Sequence, residues 1–557
     1  MARIALIAQK DNRWANSILQ ILSQARTTHE CYFAELGSFC NSADESDPEA
    51  SYVYIPSLID REGIIPDLSE AERVFQRSAR LRPRKLVLLS SALIYGTGPW
   101  RLGLVSEDYT AGNYRGDQIC SRWKSLEATA GQCLNLKGNV PLIILRPTTV
   151  LPSPALLSRR LMRRFTFTLP GHDPTLQLLS LCDLAEALLC ALEQDKPGVF
   201  NVAPDGVVPL HAAVRIAHGY SVALPRTLQR LFRRSDALDY LRYPWTVSNK
   251  KIKEELGFAP RKSSIATVFE MEAETEIDCR KRGPSLPSPE PTFDDFGMDK
   301  NLIQSYGKTL FKFLCDYYWR IEVKGLEYVP REGPAILVGM HRGFMPWDGV
   351  MVLHQLVQKA GRFPRFLTHP GLLKFPFISS FVTKLGGVIA CQESADRVLE
   401  SGELLGVFPE GVRGAFTPYR EAYRLKSFGR DAFVKIALRH RVRIVPFVTV
   451  GSAEIFPIFA TIKSRRWTRY SDWPCLPLST FPILPVPLPS KWHMQFLPAI
   501  HLGEQYPREA AQDASVIKAI SLEVRNRMQQ AVDEMIRKRR SVFFGSIFEP
   551  EEEAGTR

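Results

Sequence analysis

Short apolar runs alternate with helical-period stretches through residues 1–272, and this alternation narrows the choice of fold more than any other feature of the chain. Ile4 to Ala8 precedes an apolar-periodic run near Ile18 to Leu22, and further runs follow at Leu86 to Leu89, Pro141 to Leu145 and Val199 to Val202. Strands separated by helices require crossover connections, so the pattern predicts βαβ units around a parallel sheet. The chain has 557 residues, more than one core usually organises, and with 45% hydrophobic and 24% charged residues it can bury a sizeable interior. The Pro-rich, charged stretch 279–299 suits a semi-rigid linker.

Beyond that stretch, Leu404-Leu405-Gly406-Val407 reads as a buried strand, and it runs into Phe408-Pro409-Glu410-Gly411-Val412-Arg413-Gly414. A charged group at the tip of a buried strand commonly serves a ligand; Glu410 can accept from a hydroxyl and Arg413 offers a planar donor for phosphate or carboxylate. Some sixty residues earlier, His341-Arg342-Gly343-Phe344-Met345-Pro346-Trp347-Asp348 brackets a short loop with a base and a carboxylate. Seven positions along one helix would separate the two side chains by about 10.5 Å, too far for a hydrogen bond. Gly343 and Pro346 break such a helix, and Pro346 at its first position would set Asp348 in the first turn, where the macrodipole favours an acid. Alone, such a pair is ordinarily a buried histidine and an N-terminal helix acid; the second motif points instead to catalysis.

Residues 301 to 545 resemble the phospholipid/glycerol acyltransferase (PlsC-like) superfamily. Its His-x4-Asp, Phe-Pro-Glu-Gly-x-Arg and Val-Pro motifs are matched by His341 with Asp348, by Phe408 to Arg413, and by Val445-Pro446. The resemblance implies an α/β acyltransferase domain with His341 as general base and Asp348 as its orienter, while Glu410, Gly411 and Arg413 bind the acceptor. It also implies acyl-CoA or acyl-carrier protein as donor, a glycerolipid hydroxyl as acceptor, and no metal. Six residues separate His341 from Asp348 where the family has four, as in branches ending Pro-aromatic-Asp-Gly, and Gln392 stands near the family's intermediate arginine. A neutral acceptor such as diacylglycerol or a long-chain alcohol is therefore as compatible as a phosphorylated one.

The first 272 residues resemble the NAD-dependent epimerase/dehydratase family of extended short-chain dehydrogenases, through Leu89-Ser90-Ser91-Ala92-Leu93-Ile94-Tyr95-Gly96, Leu145-Arg146-Pro147, Cys182 to Ala187 and Val199 to Val202. This implies a Rossmann-like domain, with Ser91 and Lys124 at the family's serine and lysine positions. Counting four back from Lys124 gives Cys120 rather than tyrosine, and Tyr109 and Tyr114 are out of register. The first strand-to-helix turn, Gln9 to Asn16, has no glycine to let a backbone approach a pyrophosphate. The expectation is a degenerate domain without the family's chemistry, at which NAD(P) binding is doubtful and which is open to a regulatory nucleotide, a partner or nothing, the rival being an NAD-dependent epimerase or oxidoreductase acting through this half. The domains expected are thus 1–272, a linker 273–300, 301–545 and an acidic tail 546–557.

The net charge of +13 predicts attraction to anionic surfaces, and without a zinc-finger, RNP or helix-turn-helix pattern, lipid is preferred to nucleic acid. Scattered cysteines and the lack of an 18-residue apolar run predict a cytoplasmic protein lying peripherally on the inner face of a membrane. Two segments suit such contact. One is an amphipathic helix over 302–320, with Ile303, Tyr306, Leu310, Phe313, Leu314 and Tyr317 on one face. The other runs from Lys463 to Tyr470 into the Pro-rich stretch 474–489, with Trp467, Trp473 and Trp492 in the headgroup zone. A last amphipathic helix is expected from near Asp513 to the basic run Arg537–Arg540. No feature of the sequence specifies an oligomeric state.

Overall fold

The computed structural model describes residues 3–548 apart from 11, 25–29, 42–48, 60–63, 99–103, 110–117, 137–139, 153–160, 162, 225–235, 271–293, 295, 344, 370, 373–374, 376, 430, 466–467, 469–472, 474 and 481–485. Most of the expected linker, Tyr114, Trp467 and the acidic tail after Phe548 thus lie outside the described residues. The chain forms two compact units, Met1–Gly297 and Met298–Arg557.

In the first unit, strands β1 (Arg3–Ala8), β2 (Glu30–Glu35), β3 (Ser51–Tyr54), β4 (Lys85–Leu89), β5 (Leu142–Pro147) and β6 (Gly198–Val202) form one sheet in the order β6-β5-β4-β3-β1-β2. Every pairing is parallel. Alternate residues serve opposite faces: Ile7, Tyr54, Leu88 and Ile144 join one core, while Leu6, Val53, Val87 and Ile143 join the other. Helices cover both sides, which is why β1, β4 and β5 read as apolar runs, whereas the edge strand β2 is partly exposed and carries an acid at each end. The unit is Rossmann-like, but β1 lies between β2 and β3 where the dinucleotide-binding order places it beside a fourth strand, so the switch point falls between β1 and β3.

That switch point is occupied by protein. Asp67 caps the helix Leu68–Leu81, accepting from the amides of Ser69 and Glu70, and this seats Glu70 at the carboxyl ends of both strands. The Glu70 carboxyl accepts from Tyr54 Oη (3.2 Å), Ser57 Oγ (2.7 Å) and Gln9 Nε2 (3.0 Å). Burial, reinforced by Glu70, holds the Tyr54 phenol well above its ordinary pKa.

The second unit is built on β7 (Glu322–Lys324), β8 (Ala335–Gly339), β9 (Arg365–Thr368), β10 (Gly387–Ile389), β11 (Leu404–Val407), β12 (Arg443–Val450) and β13 (His493–Phe496). Their order is β7-β13-β12-β8-β11-β9-β10, with all pairs parallel except β12 with β13. Strand β8 pairs with β11 on one side and β12 on the other, with Val338 opposite both Val407 and Pro446. All three motifs foreseen in the sequence are therefore carried by neighbouring strands, and the first two emerge at the same edge.

Two of the proposed membrane segments differ from expectation. The stretch 302–320 is not one helix: Lys300–Lys308 ends at Thr309 (φ −119°, ψ −95°), and a short turn Leu310–Phe313 leads into a π-helix, Leu314–Tyr318. The break splits the apolar stripe, so that Ile303, Phe311, Leu314 and Trp319 enter the core while Leu310, Phe313 and Tyr317 stay exposed. Trp492 is fully buried, stacked on Trp319 at 4.6 Å, and does not reach a headgroup zone. Leu476–Ser479 pairs antiparallel with Ile458–Ile462 and is a strand rather than a loop. Among the described residues, no helix is long and apolar enough to cross a membrane.

His493 gives the second unit an acid sensitivity. Burial pushes its imidazole down to about 4, with Glu322 at 3.5 Å partly opposing and Arg539 and Lys491 adding to the fall. An unfolded histidine titrates near 6.5. The unfolded state therefore gains a proton that the folded state refuses, and stability complete above pH ~6.5 is lost as pH falls towards 4, by up to about 3 kcal/mol. Thermal melts from pH 7 to 4.5 should show this decline, and His493→Gln should make it shallower; an unchanged slope would remove His493 from the account.

Candidate active site

Asp348 lies in the first turn of the helix Trp347–Ala360, with Pro346 at the cap position one residue before the helix. Gly343 makes the approach possible: its φ of +73° suits glycine, and a Cβ there would come within 2.9 Å of the Ser452 carbonyl oxygen. The loop thereby returns Asp348 to His341, and Nδ1 of the ring meets Asp348 Oδ2 at 2.9 Å. The same oxygen accepts from the Arg342 amide at 2.9 Å. Asp348 is 0% exposed and the His341 side chain 13%, so the carboxylate is sealed while the imidazole keeps a face towards solvent. With Nδ1–H donated to Asp348, Nε2 is an acceptor that no protein group fills among the described residues. Phe408 packs 5.2 Å from the ring and is itself stacked on Phe366. A base so oriented, in a wall of aromatics, is equipped to take a proton from a hydroxyl.

Glu410 corrects the reading of the second motif. Its carboxylate does not face the site but grips Arg342, with Nη1 to Oε2 at 2.7 Å and Nη2 to Oε1 at 3.1 Å. Both side chains are buried, at 1% and 0% exposure. Oε1 also accepts from the Lys426 amide at 2.6 Å, and the guanidinium donates to the carbonyls of His341, Ala422 and Arg424. Arg342 thus ties the residue beside the base to the second motif and to the loop 422–426. From the far side, Gln529 and Arg525 of the helix Ala514–Lys538 hold that loop through Leu425, Tyr423 and Lys426. Arg342 went unremarked in the sequence. The available signal was a cation adjoining the histidine and an acid, Glu410, at the tip of a buried strand.

The other expected residues are more open. Gly411 is exposed, with φ +58° and ψ −147°, a backbone that glycine adopts readily. Arg413 is exposed on the following turn, and its side chain makes no hydrogen bond or ion pair with any described residue. Gly414 is fixed by packing, since a Cβ would lie 2.8 Å from that of Glu410 and 3.1 Å from Arg342 Nη1. Gln392 is exposed after the Cys391 cap of the helix Gln392–Glu400.

In the first unit, Ser91 and Lys124 are not brought together. Ser91 caps the turn Ala92–Tyr95 by accepting from the Leu93 amide at 3.2 Å, and Lys124 is exposed on the helix Gln118–Gly131. Cys120 is buried and donates to the Ile94 carbonyl at 2.9 Å. Nearby, Glu127 holds Arg146 through two hydrogen bonds of 2.9 and 2.6 Å, and Arg146 donates to the Tyr95 hydroxyl at 2.6 Å. Burial raises the pKa of that phenol, with Arg146 partly opposing, so it remains neutral rather than acting as a base.

The family described as Acyltransferase matches residues 320–450, the interval that contains His341, Asp348, Glu410 and Arg413. Over 257 residues the chain is 36% identical to an uncharacterized protein of Mycobacterium tuberculosis, covering 45% of this chain and 72% of that one. The second unit carries a domain of the acyltransferase family. This acyltransferase is also 30% identical over 146 residues to a Bos taurus protein named DGAT1/2-independent enzyme synthesizing storage lipids, which spans 26% of this chain and 43% of the relative. A solved UDP-glucuronic acid 4-epimerase from Bacillus cereus in complex with NAD aligns with 49% of the acyltransferase chain and 99% of its own, at 11% identity and a TM-score of 0.37.

Proposed function

We propose that this acyltransferase moves a fatty acyl group from acyl-CoA or acyl-carrier protein to a hydroxyl of a glycerolipid, such as a lysophospholipid or diacylglycerol. The observation that carries the reading is the 2.9 Å contact of His341 Nδ1 with Asp348, which leaves Nε2 for the acceptor. Nε2 takes the hydroxyl proton as the oxygen attacks the thioester carbonyl. The collapsing intermediate expels the thiolate, which recovers that proton from the imidazolium. Asp348 keeps the tautomer throughout, and no metal or covalent acyl-enzyme is needed. The name of the bovine relative supports a lipid acceptor. The enzyme works peripherally on the inner face of a membrane, where such acceptors reside.

The first unit carries no chemistry in this reading. A dinucleotide does not fit there: the turn after β1 lacks glycine, and the Glu70 carboxyl sits where a pyrophosphate would bring its own negative charge. The reading is tested by giving the purified protein labelled acyl-CoA with lysolipids, diacylglycerol and long-chain alcohols in turn. Labelled ester on at least one glycerolipid is expected, whereas hydrolysis alone would sink the proposal.

Arg413 is assigned to the acceptor because it is exposed and has no protein partner among the described residues. Arg413→Ala should raise KM for a phosphate-bearing acceptor roughly tenfold, since a hydrogen bond to a charged group contributes about 1.5–3 kcal/mol. With diacylglycerol KM should hold, and Tm should hold in either case. Equal losses on both acceptors would contradict phosphate recognition.

A further inference from the structure

The first unit has a surface that neither its core nor its degenerate cleft explains. The short strands Phe165–Thr168 and Tyr220–Ala223 pair in parallel as a two-stranded ribbon outside the main sheet. Thr166 and Thr168 are buried, while Phe165, Phe167 and Tyr220 are 56%, 54% and 58% exposed, and Val222 is exposed beside them. Phe165 and Tyr220 stack at 5.9 Å, so the exposed side chains adjoin in one apolar patch. Soluble proteins seldom leave such a cluster of large side chains in water unless something covers it.

The surrounding charge identifies the kind of cover. Among the described residues of the two ribbon segments, 161–168 and 215–224, Arg163, Arg164 and Arg215 are exposed and there is no aspartate or glutamate. Arg164 lies over the Phe165 ring at 5.8 Å, so positive charge is in contact with the patch itself. Aromatic side chains flanked by arginines match a bilayer interface, where rings enter the headgroup zone and cations meet anionic lipid. A protein partner would need a matching acidic rim, and a second copy of this chain would bring the same arginines and repel.

We propose that this ribbon is an anionic-membrane docking site, and that the first unit serves as a membrane-binding module instead of an oxidoreductase. The inference concerns residues remote in sequence from His341 and Glu410 and stands whichever acceptor the second unit uses. Each arginine near an anionic bilayer contributes roughly fivefold to partitioning, so the surface should discriminate strongly by lipid charge.

The test uses the full chain and sedimentation with vesicles of phosphatidylcholine alone or with one-third phosphatidylserine. Wild type should bind the acidic vesicles far better, and binding should weaken with salt. Phe165→Ser/Phe167→Ser/Tyr220→Ser should cut binding to acidic vesicles at least tenfold while acyl transfer to a short, water-soluble acceptor is unchanged. Arg163→Glu/Arg164→Glu tests the same surface without touching the apolar side chains, and should give a comparable loss. Wild-type binding by both variants overturns the proposal. So does a wild-type dimer that the triple variant converts to monomer, or stronger binding to single-stranded nucleic acid than to acidic vesicles.

Discussion

Acyl transfer by His341→Ala should fall roughly a thousandfold in kcat, within the ~10²–10⁴ that a positioned general base supplies. The loss should fall on kcat more than KM, because the imidazole does its work as the hydroxyl proton moves. Tm should fall as well, because the ring is one of two hydrogen-bond partners of the fully buried Asp348 carboxylate, so kcat is measured well below the melting transition. Asp348→Asn offers the complementary result. An asparagine amide facing Nδ1 would force the other tautomer, placing a hydrogen on Nε2 where the base must accept one. The same position accepts from the Arg342 amide, so that rotamer leaves this N–H facing an NH2 group, and kcat should fall by roughly a hundredfold or more with Tm a few degrees lower. Activity within tenfold of wild type in His341→Ala would refute the mechanism.

The second large effect is on stability. Glu410→Ala strands the Arg342 guanidinium at 1% exposure, and breaking a buried pair on one side costs about 3–5 kcal/mol. Spread over the second unit, that corresponds to a Tm lower by roughly 10 °C. Arg342→Met should cost a similar amount, whereas Arg342→Met combined with Glu410→Ala should cost much less than the sum, because no charge is then left alone. Urea denaturation of the four proteins measures the coupling. Were Glu410 an acceptor ligand, its removal would raise KM and leave the unfolding midpoint in place; that outcome would restore the reading made from sequence.

The contrast between Asp348 and Glu410 shows what a linear chain discloses. Asp348 was legible because its partner is seven residues away and the breakers between them, Gly343 and Pro346, sit inside the same short segment. Glu410 was misread because its partner is Arg342, 68 residues earlier, and only the pairing of β8 with β11 makes them neighbours. Buried strands showed themselves as apolar runs in both units, since a parallel strand has no solvent face to encode. The segment 302–320 misled for a related reason. A periodic stripe states which residues are apolar, but the break at Thr309 turns half of them inward and leaves the rest outside. Glu70 escaped notice because a single acid in a helical run carries no mark of the strand ends it will plug.

The brace around Arg342 has a bearing on how this enzyme can be dissected. The family match stops at residue 450, yet the loop beneath Glu410 is gripped by Arg525 and Gln529, and Arg539 closes on Glu454 beside Tyr423. The smallest autonomous catalytic piece is consequently longer than its recognisable motif region. A fragment trimmed to the motifs would keep His341, Asp348 and Glu410 and lose the buttress that holds their loops in register, whereas one continued past Arg539 would carry its own support.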